Sequence, residues 1–196
     1  MNKLVVASNN LHKIKEIKAM LAAFNIEVLS LKDLNIDIDV EETGTSFMDN
    51  AFLKAQAIYD IIKIPVLSDD SGLEVNSLNN DPGIYSARYA GEQHNDEDNL
   101  NKLLLNLKNV NNRNARYVCA MVLMMDHDTK FEVEGYLYGK IIDKRKGQNG
   151  FGYDPIFYLD NLKKTVAELS DEEKNNISHR YNALIQIVDI IKDLNN

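Results

Sequence analysis

Ser68-Asp69-Asp70-Ser71-Gly72-Leu73 follows directly on Ile64-Pro65-Val66-Leu67. The apolar run reads as a buried strand. Two carboxylates then stand where that strand is expected to end, and the Ser and Gly after them favour a turn. In an open α/β sheet, ligands bind just beyond the carboxyl ends of strands. Adjacent acids in such a place suit Mg²⁺, which prefers oxygen ligands, and equally a general base that activates water. A surface turn rich in Asp and Ser is the competing reading of this hexapeptide taken alone.

The chain has 196 residues, which we read as a single domain over 1–196 with room for two lobes. Hydrophobic residues make up 44% of it, enough for a real core. The formal net charge of -8 argues against general nucleic-acid or anionic-membrane binding. A local basic pocket for a small phosphate ligand is compatible with that balance. Cys119 is the only cysteine, so neither a disulfide framework nor a cysteine zinc site is available. It stands in an apolar run, where an inert buried thiol is expected. No segment reads as a signal peptide, and no apolar stretch approaches ~18 residues. A cytoplasmic protein without a membrane span is the expectation.

Lys3 to Ala7 reads as a first buried strand, followed by Ser8-Asn9-Asn10-Leu11-His12-Lys13 and then a helix. Leu11, Ile14, Ile17, Leu21 and Phe24 recur at helical spacing and predict its apolar face. A loop between a strand and a helix N-terminus is a natural anion site, and Lys13 adds a cation one turn in. No glycine lets this backbone wrap an anion, however, and an ordinary cap from Ser8 or an Asn accounts equally for the loop. Glu27 to Leu29 predicts a second strand. Ile36, Ile38 and Val40 alternate with Asp37 and Asp39, the pattern of a half-exposed strand. Ser46 with Asp49 resembles a weak capping box before a helix through Phe47, Ala51, Ala55, Ile58 and Ile62. Asn50 and Lys54 share one face of that helix, either towards a site or as a solvated stripe.

After the acidic turn, Leu73 to Val75 is expected to resume as a strand. The stretch from Glu92 to Asn99 is polar, with Asp96 a candidate cap for a helix carrying Leu100, Leu103, Leu104 and Leu107. Arg116 to Met125 and Lys130 to Tyr138 flank Asp126-His127-Asp128 and predict a hairpin, so the sheet is mixed. Gly147, Gly150 and Gly152 fall within six residues and frame Phe151 and Tyr153. Glycine lets a backbone approach a ligand closely, and an aromatic face can stack on a nucleobase. Ser170 to Glu173 is a good capping box. His179 and Arg180 open a last helix, with Leu184, Ile187, Ile190, Ile191 and Leu194 on one face. Two potential cations at a helix N-terminus oppose its dipole, which hints at a ligand. Together these clusters suggest a nucleoside triphosphate and metal-assisted attack by water.

The chain closely resembles the inosine triphosphate pyrophosphatase family. The resemblance runs from Lys3 to about Leu184 and rests on motifs in a fixed order. These are Ser8 to Lys13; Glu41 to Phe47 with Asn50-Ala51 and Lys54-Ala55; Ser68 to Leu73; Pro82 to Tyr89; Gly150 to Phe157; and Ser178-His179-Arg180. It implies an elongated, mixed α/β sheet flanked by helices, with two lobes around a central cleft, and a homodimer. It implies hydrolysis of inosine or xanthosine triphosphates, ribo or deoxy, to the monophosphate and pyrophosphate, with Mg²⁺ as cofactor. Carried over by position, Ser8, Asn9, Asn10, Leu11, His12 and Lys13 line the triphosphate with Lys54, and Ser71 touches substrate. Glu41 and Asp70 are metal ligands, Asp69 supports the metal, and Asp70 accepts the proton. Phe151, Gly152, Tyr153 and Asp154 hold the base, with Lys174, His179 and Arg180 completing its pocket. Ser8 stands where the family more often has Thr, which keeps the hydroxyl, and Val166 stands where Met is common.

Two other functions compete. A pyrophosphatase for modified pyrimidine nucleotides fits less well with Phe151 to Asp154 and Ser178 to Arg180. A catalytically idle nucleotide-binding protein would not need the acids at Glu41 and Asp70.

Overall fold

The computed structural model describes residues 3–24, 26–91 and 95–194. Its strands are β1 (Lys3–Val6), β2 (Glu27–Ser30), β3 (Val66–Val75), β4 (Asn114–Met124), β5 (Lys130–Ile141), β6 (Phe157–Leu159) and β7 (Lys164–Thr165). Its helices are α1 (Leu11–Leu21), α2 (Phe47–Ile62), α3 (Asp96–Asn106), α4 (Asp171–Asn175) and α5 (His179–Leu194). The strands form one mixed sheet in the order β2-β1-β3-β4-β5-β6-β7. β1 runs parallel to β2 and β3, while β6 is antiparallel to β5 and β7. This is the mixed α/β sheet flanked by helices that the sequence predicts.

The chain divides into two compact units. The first takes in the chain up to Asp70, Cys119–Gly135 and the chain from Arg180 onward; the second is Ser71–Val118 with Tyr136–His179. In the first unit the sheet is covered on both faces. Leu4, Val6, Leu67, Cys119, Met121 and Leu123 pack with Ile14 and Ile17 of α1 and with Leu184 and Ile187 of α5. Val5, Val66, Val122 and Met124 face the other way, onto Ala51, Ala55 and Ile58 of α2. Strand residues alternate between faces, so adjacent positions such as Leu4 and Val5 enter different cores. In the second unit, Leu73, Val75, Ala115, Tyr117 and Phe157 pack with Leu100 and Leu103 of α3.

Several expectations need correction. β3 does not end at the acids. It continues unbroken from Val66 through Asp69 and Asp70 to Val75, and no turn interrupts it. The carboxylates find partners on each face of the sheet, and that lets a strand carry them. Residues 36–40 form no strand, although Ile36 and Ile38 remain half-buried against the α2 core. The alternation there reports an extended segment without ladder partners. Leu11 and Phe24 leave the predicted apolar face of α1, with Leu11 72% exposed and Phe24 lying in a short 3-10 turn beyond the helix. Of the polar stretch from Glu92 to Asn99, residues 92–94 lie outside the described residues. The helix after it is capped by Asn95, whose side chain accepts from the N–H groups of Glu97 and Asp98, rather than by Asp96. The box at Ser170 and Glu173 forms as expected.

Among the described residues no helix is long and apolar enough to cross a membrane. Ile17, with no exposure, locks α1 onto β1 and α5. Ile17→Ala is expected to cost about 2–5 kcal/mol, read as a lower midpoint in urea or thermal unfolding.

Candidate functional site

In the first unit, the functional side chains gather on both sides of β3. Asp69 points towards α1 and α5. Its Oδ2 lies 2.9 Å from Lys13 Nζ and 3.5 Å from Arg180 Nε. Arg180 in turn pairs through Nη1 with Glu16 of α1. Asp70 points the opposite way, towards α2. Its Oδ2 accepts from Asn50 Nδ2 at 3.1 Å, and its Oδ1 lies 3.6 Å from Lys54 Nζ. Lys54 also donates to Glu42 Oε1 at 2.7 Å. The two acids that are neighbours in sequence therefore serve different faces of the sheet.

Local structure aims these groups. Asn10 caps α1 by accepting from the N–H groups of His12 and Lys13, which starts the helix so that Lys13 and Glu16 share a face. Asn9 donates through Nδ2 to the carbonyl of Ile38, and Ser8 Oγ accepts from the N–H of Asn10. The loop thus uses part of its own polar capacity to hold its shape. Ser46 caps α2 by accepting from the N–H of Asp49, while the Asp49 carboxylate accepts from the N–H and hydroxyl of Thr45. Asn50, fully buried, accepts from the Gly44 N–H at 2.8 Å while donating to Asp70. A Cβ at position 44 would stand 2.6 Å from Asn50 Oδ1, so only glycine allows this close approach. Ser68 donates to the Ala51 carbonyl at 2.5 Å and fastens β3 to α2 below the acids.

The electrostatics of the two acids differ. Burial pushes the Asp69 carboxyl up, but Lys13, Arg180 and Lys54 together outweigh it and hold the group well below the usual carboxylate range. Asp70 is raised above its ordinary value, chiefly by burial and further by Glu42, against the opposing fields of Lys54 and Lys13. A base with a raised pKa is better matched to taking a proton from water. Lys54 loses hydration by burial, yet Asp70, Asp69 and Glu42 raise its pKa and keep it charged. The Cys119 thiol is pushed up to about 12, by burial first and by the charge on Asp69 second, so it is inert as expected.

The second unit carries a separate cluster built on Asp154. This buried carboxylate accepts from Tyr117 Oη at 3.1 Å, from the Phe151 N–H at 3.1 Å and from Lys174 Nζ at 2.9 Å. The Phe151 ring is 36% exposed, and Lys174 Nζ lies 4.5 Å from its centroid. Gly150 makes the turn with φ 78°, and a Cβ there would stand 2.1 Å from Asp154 Oδ2. Tyr153 donates to the carbonyl of Ser86, and the Gly152 N–H donates to Asp96. His179 stacks on the Tyr117 ring, with centroids 4.9 Å apart and planes 17° apart.

The structure thus brings Lys13, Lys54, Asp69, Asp70 and Arg180 together in one unit, and Phe151, Asp154, Lys174 and His179 lie in the other. Ser71 is a half-buried residue of β3. Asn9, Asn10, Leu11, His12 and Glu41 are exposed. Arg180, expected beside the base, is engaged with Asp69 and Glu16. Sequence reading missed Glu16 and Tyr117. Glu16 sits one helical turn after Lys13, a spacing that marked it as sharing the site's face, but the long-range partner Arg180 leaves no local signal.

A mixed α/β sheet with two acids on β3, Asp69 facing Lys13 and Arg180 and Asp70 facing Asn50 and Lys54, defines the class of protein. The chain belongs to the Ham1 family, whose model matches residues 4–190. It is 50% identical over 202 residues to a dITP/XTP pyrophosphatase of Clostridium perfringens, with 99% of each chain covered. It is 45% identical over 192 residues to a dITP/XTP pyrophosphatase of Staphylococcus epidermidis, covering 98% of this chain and 97% of that one. Among solved structures, the Staphylococcus aureus Ham1 protein matches with a TM-score of 0.90 at 44% identity, over 98% of this chain and 99% of that one. A HAM1 protein of Coxiella burnetii matches with a TM-score of 0.92 at 36% identity, over 98% and 100%.

Two stability predictions follow from the opposite environments of the acids. Asp69 has a depressed pKa, so its contribution is present above the unfolded value of 3.8 and is lost as pH falls below it. Lys13→Met should therefore destabilise by about 3–5 kcal/mol near neutral pH, with the gap to wild type narrowing in denaturant titrations below about pH 4. Asp70 has a raised pKa, so holding it ionised opposes folding at neutral pH. Asp70→Asn, which preserves shape and can still accept from Asn50, should melt higher than wild type at pH 7 by calorimetry.

Proposed function

We propose that this protein hydrolyses deaminated purine nucleoside triphosphates, inosine and xanthosine forms with ribose or deoxyribose, to the monophosphate and pyrophosphate. The observation that carries the reading is a raised-pKa carboxylate, Asp70, within the fields of both Lys54 and Lys13, in a chain half identical to a dITP/XTP pyrophosphatase.

Attack of water on the α-phosphorus builds charge on the phosphate oxygens and on the departing pyrophosphate. Lys13 and Lys54 neutralise that charge, aided by the polar loop from Ser8 to His12 and by Ser71. Asp69 holds Lys13 in place; being fully buried, it spends its charge on Lys13 and Arg180. Asp70 takes the proton from the attacking water. Its amide partner Asn50 orients the carboxylate, and Gly44 orients Asn50.

The donors also fit Mg²⁺. Among the described residues no three acidic, histidine or cysteine side chains form a complete cage. Mg²⁺ does not need one, since it binds through one or two carboxylates and keeps water and substrate phosphate oxygens. Asp70 with Glu41 would hold the ion, Asp69 supporting them through the cations it anchors. Bound there, it would supply electrostatic stabilisation of the transferring phosphoryl group.

The purine is assigned to the second unit's cluster. The exposed face of Phe151 offers a stacking surface. Asp154 and Lys174 set the position of that ring, with Gly152 and Tyr153 completing the loop. Inosine and xanthosine present a carbonyl at position 6 where adenosine presents an amino group. Donors such as Lys174 and His179 match the first and are left unpaired by the second, a mismatch that can discriminate by orders of magnitude. Arg180 is anchored by Asp69 and Glu16. We further propose that the enzyme works as a homodimer in the cytoplasm, in keeping with the family resemblance; sedimentation equilibrium checks the first part.

The test is turnover of inosine, xanthosine, guanosine, adenosine and thymidine triphosphates with Mg²⁺, resolving pyrophosphate from orthophosphate. Selective release of pyrophosphate from the inosine and xanthosine forms is expected, with a loss of at least about 10²-fold in Asp70→Asn. Orthophosphate as the product would place the attack at another phosphorus and overturn the mechanism. Equal turnover of adenosine triphosphate would overturn the assignment of donors.

A further inference from the structure

Tyr117 belongs to none of the motifs that carry the family resemblance, yet it joins the two segments assigned to the base. It stands on β4 with its ring in the second unit's core. Its hydroxyl donates to Asp154 Oδ1, the oxygen left over once Oδ2 has accepted from the Phe151 N–H and paired with Lys174. Its ring stacks nearly parallel on His179 and packs at 4.5 Å against Phe157. Burial, and then the charge on Asp154, push the Tyr117 hydroxyl above its ordinary pKa, so it stays a donor across the physiological range.

Geometry makes this more than core packing. A carboxylate held through Oδ2 alone can still rotate about its side-chain bonds, carrying the Phe151 backbone and the Lys174 ammonium with it. The Tyr117 hydroxyl closes the second oxygen and removes that freedom. The same rigid ring carries His179, the first residue of α5. One side chain thereby sets the spacing between the stacking loop, residues 150–154, and a proposed donor to the base. Positioning of this kind needs a partner whose own rotamer is locked, and a buried aromatic ring packed between Phe157 and His179 supplies it.

We propose that Tyr117 is a specificity-positioning residue, holding Asp154 with its Phe151 loop and His179 in the mutual arrangement that reads the purine base. The proposal rests on the assignment of the base to these segments, and touches neither the phosphates nor the proton transfer.

Tyr117→Phe tests it, because the ring and its stacking stay and only the hydroxyl goes. Competitive inhibition constants would be measured for inosine monophosphate, which carries the base, and for inorganic pyrophosphate, which does not. The inosine monophosphate constant should rise roughly three- to tenfold, the range for one lost hydrogen bond, with the pyrophosphate constant unchanged. KM for inosine triphosphate should rise, kcat should stay within about twofold, and the preference for inosine over adenosine triphosphate should fall. Asp154→Asn keeps an acceptor for Tyr117 but loses the ion pair to Lys174. In the double variant the inosine monophosphate constant should rise by less than the product of the two single-variant rises, since both loosen one arrangement. Unchanged inosine monophosphate binding and selectivity would overturn the proposal, as would equal weakening of both inhibitors, which marks a general structural role. If the wild type neither bound nor hydrolysed any inosine nucleotide, the functional reading itself would fall, a result distinct from a wild type that discriminates and a variant that discriminates equally well.

Discussion

A carboxylate with no solvent exposure in the middle of a sheet is tolerable only when cations close on it. Asp69 meets that condition through Lys13 and Arg180, and much of the first unit is arranged to satisfy it. An isolated buried ion carries a penalty of several kcal/mol. The compensating charges therefore have to arrive from fixed directions, one from the first turn of α1 and one from the first turn of α5. Both helices also bury apolar faces on the sheet at Ile17 and Leu184. Packing brings the cations to the acid, and the acid in turn fixes how the cations sit. Glu16 extends the same logic, balancing the second charge that Asp69 alone cannot hold.

On the opposite face, the carboxylate is compensated less completely. Asp70 is fastened by a neutral amide and by a lysine shared with Glu42. It keeps a raised pKa because those partners offset its desolvation only in part. Alternation along a single strand thus yields one acid held low by cations and one raised by burial. In the second unit, Asp154 has the structural part, with a tyrosine, a lysine and a backbone N–H satisfying its oxygens. The group left exposed there is the Phe151 ring. In both places a buried carboxylate organises the groups around it.

Much of this was legible before the structure. The helical faces at Ile14, Ile17 and Leu21, the β4–β5 hairpin, and the caps at Ser46 and Ser170 are local patterns set by a few neighbouring residues. The candidate acids and lysines were visible because ionisable groups at the ends of apolar runs are conspicuous. Other features were not. Ser-Asp-Asp-Ser-Gly has the composition of a turn, and only its place in the sheet makes it the middle of a strand. Ile36, Ile38 and Val40 alternate as a strand does, but a strand also needs a partner to accept its hydrogen bonds. Arg180 lies next to His179 in sequence yet turns to partners on β3 and α1.

The sequence by itself determined the mixed α/β class, the positions of the helices and the set of side chains available for chemistry. Periodicity, capping and charge act over a few residues, and that is why they can be read from the chain. Tertiary structure alone decided which of two adjacent aspartates is held low by cations and which is raised by burial, and which tyrosine of the nine fastens the Asp154 loop. Those choices depend on groups that are distant in sequence, such as Asp69 with Arg180 or Tyr117 with Asp154. Burial then amplifies each contact, since removing water makes a nearby charge or a single hydrogen bond count for far more than it does at the surface.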